Sequence, residues 1–127
     1  MTTVDADTLG HILAAVSDTI EQRKRGEGKT NAQGRSYVQS LLEAGTPAIN
    51  GKIREEAEEL CHALAEESDE RVSAEAADLL FHAMIGLSAR GLSLETVGEV
   101  LRSRFGRSGV DEKASRSSAD SAASPSK

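Results

Sequence analysis

The chain has 127 residues, with 21 acidic and 15 basic side chains and a formal charge of −6. That length suits one core, and the charge argues against general nucleic-acid binding, which needs clustered Lys and Arg. The single cysteine, Cys61, has no partner for an intramolecular disulfide. No run approaches the roughly 18 apolar residues of a membrane span, and Asp5 and Asp7 do not fit a secretory signal, so the expectation is a soluble, unprocessed, cytoplasmic protein.

Apolar residues recur at helical spacing and predict an all-α bundle. A first helix from near Asp7 carries Leu9, Ile12, Leu13, Val16 and Ile20 on one stripe, with Arg23, Lys24 and Arg25 near its end and Gly26 as its stop. Residues 26–35 hold three glycines and no large apolar side chain, and read as an exposed loop. Ser36 caps a short helix with Tyr37, Val38, Leu41 and Leu42, which Gly45 ends.

Thr46 as N-cap, with Pro47 in the first turn, opens a long helix over 46–67 whose apolar face is Ile49, Ile53, Ala57, Leu60 and Leu64. A second long helix, antiparallel to it and spanning 70–90, is apolar on nearly every side over 76–87 and should be the most enclosed element; Gly91 ends it. Ser93 caps a last helix with Leu94, Val97, Val100, Leu101 and Phe105, closed by Gly106. The folded domain is therefore 1–106. The segment 107–127, with seven serines and small or charged neighbours, is expected to be a disordered tail.

The chemistry lies in acids on the two long helices. Residues three apart on a helix share a face, so Glu56 and Glu59 project together, and Glu56 sits beside Ile53 and Leu60 while Glu58 points to solvent. On the second helix Asp78 and His82 are the only ionisable residues over 76–87, and both project on the side of Glu75. Taking an unpaired carboxylate out of water costs several kcal/mol, so acids placed in this way call for a cation, a protonated partner or a wet cleft. Four acids from two helices point to a metal. A hard cation held by carboxylate oxygens, with coordination left for water and phosphate, is magnesium, or manganese in its place. Such an ion can neutralise and orient a polyphosphate.

Four segments carry a family resemblance: Arg35-Ser36-Tyr37, Lys52-Ile53-Arg54-Glu55-Glu56-Ala57-Glu58-Glu59, Glu75-Ala76-Ala77-Asp78-Leu79-Leu80-Phe81-His82, and Arg90-Gly91-Leu92-Ser93-Leu94. In order and spacing, over about 9–105, the chain resembles the phosphoribosyl-ATP pyrophosphohydrolases of histidine biosynthesis. The Glu-x-x-Glu and Glu-x-x-Asp pairs belong to the wider all-α nucleotide pyrophosphohydrolase superfamily, whereas the Ser-Tyr and Arg-Gly-Leu-Ser-Leu runs select the narrower family. The resemblance implies hydrolysis of the α–β phosphoanhydride of phosphoribosyl-ATP to phosphoribosyl-AMP and pyrophosphate, with Glu56, Glu59, Glu75 and Asp78 as magnesium ligands.

Around that site Glu55 either orients the attacking water or faces solvent, and with Glu56 it is the catalytic candidate. Lys52, one turn before Glu56, either holds a phosphate or pairs with that acid. Arg35 and Ser36 lie where a loop meets a helix N-terminus, a place for substrate phosphate, or else for a cap and an exposed cation. His82 either donates to a ligand carboxylate from behind or is a satisfied core histidine. Arg54 stands where relatives commonly have glycine, and 45–51 lacks the acid often found there.

Other readings fit parts of the pattern. A housecleaning nucleoside triphosphate pyrophosphohydrolase would keep the metal and change the substrate. Glu59-x-x-His62 resembles one element of a ferritin-like di-iron bundle, but it occurs once and His62 points away from Glu56. A non-enzymatic dimerisation module would leave the acids as surface charge. The apolar second helix, too large a face for its short companions, predicts a homodimer in any of these cases.

Overall fold

Short polar side chains cap the starts of three of the helices, and glycines with positive φ follow the ends of three. The structure, a computed structural model, describes residues 3–28 and 36–105. The expectations for Arg35, for the rest of the loop over 29–35 and for the tail over 107–127 lie outside the described residues.

Helix α1 spans Ala6–Lys24 and is capped by Asp5, whose Oδ1 accepts the Thr8 N–H at 2.7 Å. Its C-terminus closes when Gly26 adopts φ 84° and the N–H groups of Gly26 and Glu27 return to the carbonyls of Arg23 and Gln22 at 2.9 and 2.8 Å. Helix α2, Tyr37–Ala44, starts with the expected Ser36 cap, and the cap is reciprocal: Ser36 Oγ accepts from the Gln39 N–H at 3.0 Å while Gln39 Oε1 accepts from the Ser36 N–H at 3.3 Å.

The start of helix α3, Thr46–Glu66, differs from expectation. Thr46 is already helical, Gly45 holds the cap position at φ 96°, and no side chain caps the helix. One glycine both ends α2 and starts α3, which leaves no extended residue for a threonine cap. Pro47 still falls in the first turn, where its missing N–H has no helical partner to lose. Helix α4, Asp69–Ala89, is capped by Ser68, whose Oγ accepts the Arg71 N–H at 3.2 Å. It ends as α1 does, with Gly91 at φ 74° and Leu92 N–H returning to the Leu87 carbonyl at 2.8 Å.

Helices α3 and α4, joined only through Glu67 and Ser68, form a helical hairpin onto which α1 and α2 pack. The all-α expectation holds, with five helices and no strand among the described residues. The buried apolar residues are Ile20 from α1, Val38 and Leu41 from α2, Ile49 and Ala63 from α3, and Met84 and Ile85 from α4. On α3 the inward stripe is 49, 53, 56, 60 and 63, so Ala63 is fully buried while Leu64, assigned to that face above, is 66% exposed. That stripe carries Glu56 into the interior.

Helix α4 is enclosed on one side only. Glu75, His82, Met84, Ile85 and Ser88 are buried, but Ala76, Ala77, Asp78 and Leu80 are exposed. An apolar sequence says that a helix face avoids water, not which element covers it. By length and composition alone α4 could cross a membrane, with 21 residues and a window mean hydropathy of 1.2, which the sequence reading did not anticipate. Its buried Glu75 and His82 are instead the mark of a helix packed against protein, because a carboxylate in hydrocarbon is strongly disfavoured. Helix α5, Leu94–Phe105, belongs to a separate unit that begins at Leu94. By itself it is a short amphipathic helix with Arg102 and Arg104 in its last turn, where cations suit the dipole.

Candidate metal centre

The period that buries Ile49 and Ala63 on α3 also buries Glu56, and the facing stripe of α4 buries Glu75, one turn before Asp78. Glu56, Glu75 and the exposed Asp78 each bring a carboxylate oxygen within 4.8 Å of the others. Glu59, one turn beyond Glu56, is exposed and is not one of the three, though its charge acts on both Glu56 and Glu75.

The decisive feature is what the buried oxygens lack. Glu56 Oε1 and Glu75 Oε1 are shut off from solvent and have no hydrogen-bond partner. A buried acceptor without a donor costs about 1–3 kcal/mol, more if charged. Burial, followed by the charges of Glu59 and Asp78, raises the Glu56 pKa above the usual carboxylate range. Burial, then the neighbouring Glu59 carboxylate, does the same to Glu75. Both groups favour neutralisation, and a cation held by Glu56, Glu75 and Asp78 would provide it. The donor set is all oxygen, which fits a hard divalent ion.

Two cations stand beside the cluster. Lys52 Nζ lies 3.1 Å from Glu55 Oε1 and 3.9 Å from Glu56 Oε2, so it leans to the exposed Glu55 and only secondarily to Glu56. Arg71, which the sequence reading did not single out, forms an ion pair with Glu75 and reaches Glu67 Oε1 at 3.3 Å. Its place one turn before Glu75 was visible in the sequence.

Of the remaining candidates, Ser36 is buried and its hydroxyl is engaged in capping α2. His82 is buried, but neither ring nitrogen is paired with a carboxylate: Nδ1 is 2.8 Å from the Asp78 backbone carbonyl and Nε2 is 2.6 Å from the Tyr37 hydroxyl. Tyr37, read from sequence as an apolar residue of its helix, is half exposed and lies near the cluster, where Lys52, Glu55, Glu56 and Asp78 all act on its phenol. Nothing in the sequence ties positions 37 and 82. His62 is exposed and sits 3.2 Å from Glu67, on the surface. A separate open cleft of about 270 Å³, lined by Lys24, Gln39, Leu42, Glu43 and Ala89, includes none of the clustered acids.

A helical hairpin that brings carboxylates from both of its arms to one point, where they could hold a metal ion, defines an all-helical acidic-site protein. Residues 13–105 match the phosphoribosyl-ATP pyrophosphohydrolase family, and the chain belongs to that family of enzymes. It is 47% identical over 104 residues to a phosphoribosyl-ATP pyrophosphatase of Erythrobacter litoralis, covering 82% of this chain and 95% of that one. It is 42% identical over 106 residues to the Pelobacter propionicus phosphoribosyl-ATP pyrophosphatase, covering 84% and 94%. A histidine biosynthesis bifunctional protein of Helicobacter hepaticus is 43% identical over 106 residues, which is 84% of this chain but 44% of that protein. The chain thus spans less than half of that bifunctional relative and nearly all of the two single-function ones. This is the family to which the motifs pointed.

Proposed function

We propose that this chain hydrolyses the α–β phosphoanhydride of phosphoribosyl-ATP, releasing pyrophosphate and phosphoribosyl-AMP in the second step of histidine biosynthesis, with magnesium as its cofactor and manganese as a substitute. The observation that carries the reading is the pair of buried, unpartnered oxygens, Glu56 Oε1 and Glu75 Oε1, in one cluster with Asp78. Those three residues, with Glu59 alongside, would hold the ion, whose charge neutralises and orients the polyphosphate.

The chain's own side chains supply the rest. Lys52, at the edge of the cluster, offers its ammonium to a phosphate oxygen. Glu55 is exposed next to it and can accept the proton of the attacking water; the 3.1 Å contact with Lys52 holds it in place. Arg71 balances Glu75 from the other side. Magnesium is favoured over softer metals because the donors are carboxylates alone.

The exposed apolar residues Leu9, Ile12, Leu64 and Leu80 are what a homodimer would cover; a monomeric mass in solution would overturn that part. Cys61 is a free, exposed thiol, in keeping with a reducing cytoplasm. The reaction is tested by measuring pyrophosphate release from phosphoribosyl-ATP and from deoxynucleoside triphosphates, each with magnesium and with chelator. The expected result is magnesium-dependent release with a strong preference for phosphoribosyl-ATP. Preference for the triphosphates would mean a housecleaning enzyme, and no release from either would end the hydrolase reading.

A further inference from the structure

The turn between α3 and α4 carries a chain of contacts that ends on the acidic cluster. Glu67, the residue that follows α3, returns its N–H to the Ala63 carbonyl at 2.9 Å, and its carboxylate reaches both arms of the hairpin. Oε2 lies 3.2 Å from His62 Nε2 on α3, and Oε1 lies 3.3 Å from Arg71 Nε on α4. Arg71 in turn gives Nη2 to Glu75 Oε2. Glu67, Arg71 and Glu75 follow one another at intervals of four residues, the spacing of neighbours on a helix face.

What this chain leaves undone at Glu75 is the informative part. A guanidinium that meets a carboxylate frequently makes two parallel N–H···O bonds, one to each oxygen. Arg71 makes one contact with Glu75, to Oε2, while Oε1 is shut off from solvent and has no partner. The Glu75 side chain is only 6% exposed, so water does not compensate for the missing bond. Arg71 Nε, a donor that could make the second bond, is committed to Glu67. The guanidinium is planar and rigid, so a hold on Nε also fixes the direction of Nη2.

We propose that Glu67 is a positioning residue for the metal centre: by holding Arg71 at Nε it restricts the guanidinium to a single oxygen of Glu75 and keeps Glu75 Oε1 open for a divalent cation. Without Glu67 the arginine turns onto both oxygens, and the protein's own cation takes the place of the ion. Arg71 is in this view a competitor kept at one oxygen. The proposal rests on the reading of the acidic cluster as a magnesium site.

The test is a double-mutant cycle on Glu67 and Arg71 in the full chain, read by calorimetric titration of the metal-free protein with magnesium alone. Glu67→Gln should raise the magnesium dissociation constant about tenfold, the lower end of what a residue behind a metal ligand costs. Arg71→Ala should bind magnesium at least as tightly as wild type, because the competing cation is gone, and adding Glu67→Gln to it should change the constant by less than about twofold. Deleting the arginine thus rescues the loss at position 67. Arg71→Lys gives the same comparison with the charge kept: an ammonium has no planar fork for two oxygens, so Glu67→Gln with Arg71→Lys should bind magnesium more tightly than Glu67→Gln alone. Glu66→Gln removes an equal charge from the neighbouring exposed position and should stay within about twofold of wild type. In steady-state pyrophosphate release the effect of Glu67→Gln should fall on the magnesium activation constant rather than on kcat.

A Glu67→Gln variant with wild-type magnesium affinity would overturn the proposal, as would double variants no tighter than Glu67→Gln, the result of a role in charge or folding alone. An Arg71→Ala variant that itself bound magnesium more weakly than wild type would make the arginine an aid to the site and would also overturn it. Wild-type protein that binds magnesium but does not hydrolyse phosphoribosyl-ATP would end the substrate reading while the cycle still judged Glu67. Wild-type protein that binds no magnesium would end both.

Discussion

The two ends of α4 each bury polar groups, and they treat them in opposite ways. Near its C-terminus Ser88 is buried with its hydroxyl donating to Glu21 Oε2 at 2.6 Å and its carbonyl accepting from Lys24 Nζ at 2.7 Å, so α1 and α4 are tied by a closed set of partners. Near its N-terminus Glu75 is equally enclosed, yet one of its oxygens and one of Glu56 have no partner at all. A closed set is what structure needs, since each donor meets an acceptor and nothing is left to bind. An open set of like charges lowers the stability of the chain by itself and is tolerated where a ligand completes it.

Exchanging isosteres at the two ends should therefore give reciprocal results. Glu56→Gln or Glu75→Gln should reduce magnesium-dependent hydrolysis by at least about a hundredfold, since even residues behind a metal ligand cost 10–100-fold. Glu56→Gln, melted in chelator, should be no less stable than wild type, because it removes a buried charge set among the like charges of Glu59 and Asp78, whereas Glu75→Gln also gives up the ion pair with Arg71. Ser88→Ala should behave the other way. It strands the Glu21 carboxylate and should cost about 1–3 kcal/mol, a melting point lower by several degrees, with kcat at a permissive temperature within about twofold of wild type. A destabilised Glu56→Gln with normal turnover would erase the contrast.

The contrast was half legible in the sequence. The acids could be placed, because the same three-residue spacing that aligns Glu56 with Glu59 aligns Glu75 with Asp78, and because Asp78 and His82 interrupt an otherwise apolar run. The helices could be placed from their period and from Gly26, Gly45 and Gly91. What helical period cannot supply is the partner across the fold. Glu21 and Ser88 are 67 positions apart and Tyr37 and His82 are 45 apart, so which buried polar group is closed and which open depends on packing that no local pattern states. His82 illustrates the limit: its place on the polar stripe was readable, but its ring turns to a backbone carbonyl and a phenol. The exposed side of α4 is a limit of the same kind, since apolarity there does not name the surface that covers it.

The smallest effect, and the finest test of the open end, is its response to pH. Glu56 and Glu75 have folded-state pKa values raised above those of the unfolded chain, each chiefly by burial. The folded protein therefore holds their protons more tightly than the unfolded one. Their favourable contribution is complete at pH values below the unfolded pKa and is lost as pH rises through the raised folded values. In chelator, wild-type stability should fall relative to a Glu56→Gln, Glu75→Gln double variant as pH climbs from about 4 to about 8, since the amides do not titrate. Magnesium should reverse the trend in the wild type, because at high pH the cation takes the place of the lost protons. The closed end at Ser88 should show no such exchange between proton and metal: magnesium should leave the penalty of Ser88→Ala unchanged at every pH. If chelated wild type and the double variant instead ran parallel across that range, the orphaned oxygens would carry no electrostatic strain, and the chief argument for a cation between them would be lost.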